Sequence, residues 1–197
     1  MTRLTSHLEK LALETFSVVL GIILAFAANS WHDRRAHEES ACEALNAIRA
    51  ELTSNDSLLS VRVPYHAAMR DSMTALLKRT RGHEALGGLQ AIKNWNGLMP
   101  TRLLDDAWQT ARSTQALQYL PFDLVIGLSR AYAYQQQIAD ANRGLLAAVY
   151  TPAFATGGVG AVAAMYSFLD DLASNEQHLR EELDAEVPRT KQYCASR

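Results

Sequence analysis

Cysteine is scarce in this chain of 197 residues: only Cys42 and Cys194 occur, far apart and in no C-x-x-C pairing. That excludes cysteine-rich zinc modules and dithiol redox motifs. A dominant charge is also lacking; the formal net charge is -2, so no basic field proposes a nucleic-acid or polyanion partner. Period-two alternation of apolar and polar residues is not sustained anywhere, which argues against strands. There is no G-x-S-x-G, no P-loop and no dinucleotide-binding glycine pattern. Ser and His residues are present, but no spacing selects a nucleophile and its base, so neither a catalytic residue nor a cofactor is assigned.

What the chain does have is an apolar run from Leu11 to Trp31, 21 residues with one charge, Glu14. A helix of that length, at about 1.5 Å per residue, covers the ~30 Å hydrocarbon core of a bilayer. Trp31 stands where an interfacial aromatic belongs, with Arg34 and Arg35 behind it. Residues 1–31 thus read as a cytoplasmic flank and a single-pass anchor, with the lipid bilayer as first partner. A signal peptide is the rival reading, because Ala25, Phe26 and Ala27 form an A-x-A pattern. Glu9 and Glu14 dilute the basic flank and no breaker interrupts the run, which favours retention. Basic residues are nearly balanced on the two sides, but the leading flank is short and easily kept in the cytoplasm. Residues 32–197 are therefore expected on the periplasmic side of a bacterial inner membrane.

At 100° per residue, Glu14, Ser17, Gly21, Ala25 and Ala28 fall within an arc of about 80°. Small residues in this arrangement let helix backbones approach closely in lipid, and the Glu14 carboxyl prefers a polar partner to hydrocarbon. The stripe predicts a helix–helix contact in a homo-oligomer or with another membrane protein. A Glu14 that merely snorkels to the interface is the plainer reading.

Residues 32–197 suffice for one domain with its own core. No Pro or Gly lies between Asn29 and Val63, so the anchor should continue into a soluble helix carrying Leu45, Ile48, Leu52 and Leu59. Pro64 predicts a kink or break, and Met69, Met73, Leu76 and Leu77 continue the stripe. Glycines loosen the pattern from Arg81 to Pro100, around a short helix near Leu89 and Ile92. A helix is expected from Thr101 to Pro121, and another through Leu124, Leu128, Ala131, Ile138, Leu145 and Val149 to Pro152. The last carries Val162, Met165, Leu169, Leu172, Leu179 and Leu183 and should end before Pro188. The fold class is all-α, a bundle of about four long helices tethered to the membrane. Gly144 to Leu169 has no charge over 26 positions, but Pro152, Gly157, Gly158 and Gly160 favour a helix end, a loop and a new helix over a second span.

Few side chains suggest chemistry. His32 and His37 lie about 140° apart on a helix, not on the shared face of a helical metal site. The pairs Asp105–Asp106 and Asp170–Asp171 read as helix-surface charges, and no metal ligand is assigned. Cys42 and Cys194 would meet if the last helix returned along the first; a disulfide and two free thiols both fit. Trp108, Arg112, Gln115, Tyr119, Tyr132 and Tyr134 could line a ligand pocket between two helices joined at Pro121. The plainer reading, and the one preferred, is a hairpin whose aromatics fill the core and whose Arg112 pairs with a nearby carboxylate.

The segment ETFSVVLGIILAFAANSWHDRR, with ALNAIRAELTSN after it, resembles an uncharacterised family of small bacterial membrane proteins whose anchor follows E-x-x-x-V-x-x-G-I-x-x-A-x-x-x-N-x-W. The likeness is clearest from Glu14 to Leu52, and DAWQTARSTQAL, Asp106 to Leu117, looks like a second shared block. The resemblance implies a retained anchor and a helical domain, but no activity. Ala27 and Ala28 depart from it where bulkier apolar residues are expected.

The first reading of function is a non-enzymatic, membrane-anchored interaction or assembly protein. The runner-up is a membrane-tethered sensor binding a small ligand around Trp108 and Tyr132. A cavity lined by Arg112 and those aromatics would favour the sensor; a filled core and an exposed apolar stripe would favour the assembly protein.

Overall fold

The apolar periodicities of the sequence become helices throughout. The computed structural model describes residues 2–80, 92, 95–155 and 159–195. Helix α1 is Thr2–Thr80, α2 is Asp106–Ser113, α3 is Phe122–Val149, α4 is Pro152–Ala155 and α5 is Val159–Ala195, with a 3₁₀ turn at Ala116–Tyr119. No strand occurs among the described residues. The short helix expected near Leu89 and the loop at Gly157 and Gly158 lie outside them.

Helix α1 runs 79 residues without interruption. Its first part is long and apolar enough to cross a membrane, and Phe16, Val18, Ile22, Ile23, Leu24 and Phe26 are all exposed on it. The expected break at Pro64 does not occur, and α5 likewise runs through Pro188 to Ala195. Both prolines are solvent-facing, as are Ser60 and Asp184, whose carbonyls lose their helical partners four residues on. Water can satisfy those carbonyls, while the buried face of each helix continues to pack.

The core is a seam of three long helices with a heptad-like register. In α1 the inward positions run Ala41, Leu45, Ile48, Leu52, Asn55, Leu59, Arg62, His66, Met69, Met73 and Leu76, all buried except the half-buried Arg62. In α3 they run Leu124, Leu128, Ala131, Gln135, Ile138, Asn142 and Leu145. In α5 they run Val162, Met165, Leu169, Leu172, Glu176, Leu179, Leu183, Glu186 and Thr190. Alternating steps of three and four residues keep one face inward over many turns.

Cross-links fix the directions. Arg70 meets Asp170 at 3.7 Å and Arg180 meets Asp56 at 3.4 Å, so α5 runs antiparallel to α1. Arg130 meets Glu182 at 3.4 Å and Arg189 meets Asp123, so α3 is also antiparallel to α5 and parallel to α1. Gly127 has no Cβ, and the buried Glu186 carboxylate occupies the space one would fill, held there by Arg189. Because α5 returns towards the apolar N-terminal part of α1, α4 lies at the far end of the bundle from it.

Candidate ligand-binding site

Between α1 and α3 runs a non-helical strap, residues 95–105, instead of the start of the helix expected from Thr101. Gly97 and Met99 have positive φ, of 79° and 44°, and Pro100 follows, a combination no helix accommodates. Side chains of the surrounding helices pair with the strap's backbone. Asn55 exchanges two hydrogen bonds with Leu104, its amide donating to the carbonyl at 2.8 Å and its oxygen accepting from the N–H at 2.9 Å. Glu51 accepts from the Ala107 N–H at 2.8 Å, so a carboxylate of α1 caps the first turn of α2. The Tyr65 hydroxyl donates to the Gly97 carbonyl at 2.6 Å.

A buried cluster anchors the strap's middle. His66 Nδ1 lies 2.9 Å from a carboxylate oxygen of Glu176, and His66 Nε2 faces the Leu98 carbonyl at 3.2 Å. The Thr101 hydroxyl donates to Glu176, and the Asn142 amide donates to the Thr101 carbonyl at 2.9 Å. His66 and Glu176 have no solvent exposure.

Where the strap and α2 pass α3 they leave a cavity of about 760 Å³. That is the size of a small-molecule site. Trp108 and Tyr132 line it, stacked with ring centres 4.7 Å apart, and the Tyr132 hydroxyl donates to Glu51 at 2.6 Å. Burial, then the hydrogen bond to Glu51 and its charge, raise the Tyr132 pKa, so the phenol stays a donor. Gln135 and Asn142 also line the cavity, at 5% and 8% exposure. Both polar atoms of the Gln135 amide and the Asn142 Oδ1 are buried without a hydrogen-bond partner. Such atoms are costly, and they are rare in native proteins unless water or a ligand meets them.

No family model, curated protein or solved structure matches this chain. The reading of the site rests on its geometry.

Of the six side chains singled out for a pocket, Trp108, Arg112 and Tyr132 line the cavity. The other three do not. Gln115 is exposed, with φ 60°, ahead of the 3₁₀ turn. Tyr119 stacks on His37 at 4.0 Å, and Tyr134 stacks on His178 at 5.6 Å on another face of α3. The hairpin geometry differs because α2 ends at Ser113, and a tight turn carries Tyr119 back to α1. Arg112 has no ion-pair partner among the described residues, in contrast to the filled-hairpin reading. Gln135, Asn142, His66 and Glu176 escaped the sequence reading; their signal is a polar residue on an otherwise apolar heptad face.

Cys42 and Cys194 are brought together as free, half-buried thiols, the Cys194 Sγ lying 3.9 Å from the Cys42 carbonyl. Burial, then the bond to Cys42, push the Cys194 thiol up to about 12. Glu14, Ser17, Gly21, Ala25 and Ala28 are all exposed, and the Ser17 hydroxyl donates to the Glu14 carbonyl at 2.8 Å. Among the described residues no group of three His, Cys, Asp or Glu is placed to hold a metal ion.

Proposed function

We propose that this chain is a single-pass, non-enzymatic membrane protein whose helical domain binds a small polar ligand in the cavity between α3 and the strap. The observation that carries this reading is the pair Gln135 and Asn142, buried polar side chains with unpartnered atoms in the wall of a cavity of about 760 Å³. A leucine at either heptad position would avoid that desolvation cost. The Asn142–Thr101–Glu176–His66 chain links the cavity wall to α1, so occupancy has a physical route to the helix that carries the anchor. On this reading the domain lies on the periplasmic side of a bacterial inner membrane.

Assembly through the anchor is the second reading. It is supported by the exposed small-residue stripe, on which a Cβ built at Gly21 would meet nothing within 4 Å beyond its own helix backbone. The two readings are compatible, since sensing and dimerisation use opposite ends of α1.

Thermal unfolding of the full chain in detergent, against a fragment set of mixed charge, tests the binding reading. Fragments that raise the melting temperature of the native chain but not of Gln135→Leu support it. If stabilising fragments act equally on both proteins, or none acts, the cavity is not the site.

A further inference from the structure

The geometry points to a ligand class for this cavity, an inference that rests on reading it as a binding site: a small carboxylic acid bearing an amide group, the chemistry of a short peptide or an acylated amino acid.

The amide half follows from Gln135. Its side chain offers a donor beside an acceptor, neither with a partner, and the natural complement of a carboxamide is another amide edge. The unpartnered Asn142 Oδ1 supplies one further acceptor. The Gln135 amide is closed off from solvent, so a ligand reaches it after a rotation of the side chain, a rearrangement common on binding.

The acid half follows from the charges. Arg102 and Arg112 line the cavity at its exposed rim, and neither has an ion-pair partner among the described residues. Of the other charged groups in the lining, Arg143 is held by Asp140, and Asp105 keeps its negative charge while accepting from the neutral Gln109 amide at 3.2 Å. Arg102 and Arg112 therefore exceed Asp105 by one positive charge at the cavity wall, and the planar fork of a guanidinium matches a carboxylate.

The source is aqueous. Trp31 and Glu51 are twenty residues apart in α1, about 30 Å at the helical rise, which puts the cavity beyond the reach of lipid headgroups.

The test uses the full chain in detergent and calorimetric titration with three probes: N-acetyl-alanylalanine, its uncharged carboxamide, and hexanoate, a carboxylate without an amide. The acid should bind at least about tenfold more tightly than either of the others. Gln135→Leu should erase its advantage over hexanoate, and the double variant Arg102→Gln with Arg112→Gln its advantage over the carboxamide. If all three probes bind equally and Gln135→Leu weakens them all, the ligand class is wrong while the cavity stands as a site. Acid binding that Gln135→Leu leaves unchanged overturns both. No acid binding at millimolar concentration overturns the class, and the fragment experiment then decides the cavity.

Discussion

The Tyr132 hydroxyl donates to a Glu51 carboxylate oxygen at 2.6 Å, tying the middle of α3 to α1 beside the cavity. Hydrogen bonds to charged groups contribute about 1.5–3 kcal/mol, so Tyr132→Phe should lower unfolding free energy by that amount while keeping the stack on Trp108. The bond also sets an alkaline limit. Because the folded-state pKa of Tyr132 is raised above 10.0, its contribution is full below pH 10 and is lost as pH rises further. Melting temperatures recorded across that range should fall more steeply for the native chain than for Tyr132→Phe.

His66 and Glu176 form a fully buried pair across α1 and α5. Removing one partner leaves a buried polar atom of the other unsatisfied, at a cost of about 1–3 kcal/mol. Urea unfolding should show that loss in His66→Leu, and a smaller loss in the double variant His66→Leu with Glu176→Leu. A double-variant loss equal to the sum of the His66→Leu and Glu176→Leu losses would mean that the pair is not coupled.

Cys42 and Cys194 should form a linked peptide when the full chain is treated with a thiol oxidant and mapped without reduction. In the reduced chain the raised pKa of Cys194 keeps its thiolate scarce at pH 8, so alkylation there should be slower than at a solvated cysteine. A map with no linked peptide would contradict the placement of α5 against α1.

Deleting residues 1–31 should release the domain into the soluble fraction, and intact mass of membrane-extracted chain should include the first helix. A product beginning at Ala28 would establish cleavage instead. In lipid, Gly21→Leu should disperse oligomers by separating the backbones, whereas Leu20→Ile, on another face, should not. Glu14→Gln should be tolerated if Glu14 acts as a hydrogen-bonding group rather than as a charge.

Much of the fold was legible because it is helical and periodic. Leu45, Ile48, Leu52 and Leu59 marked the inner face of α1, and Leu124, Leu128, Ile138 and Leu145 that of α3, through local spacing alone. The strap was not legible, since its backbone is held by Asn55, Tyr65 and His66, tens of residues away in sequence. Gln135, Asn142 and Glu176 are single polar gaps in apolar stripes. A polar side chain on such a face has two readings, a misplaced surface residue or a buried group with a distant partner, and sequence spacing does not separate them. Pro64 and Pro188 misled for the opposite reason: tertiary packing overrode a local signal on the solvent side of each helix.

The most direct test is solution NMR of the side-chain amides of Gln135 and Asn142 in the full chain, assigned by Gln135→Leu and Asn142→Leu and titrated with N-acetyl-alanylalanine. Binding in the cavity predicts saturable shifts of both amide pairs, with the Gln135 signals moving most. Signals that stay fixed while the probe binds elsewhere, or at every concentration, would contradict the assignment of this cavity as a ligand site.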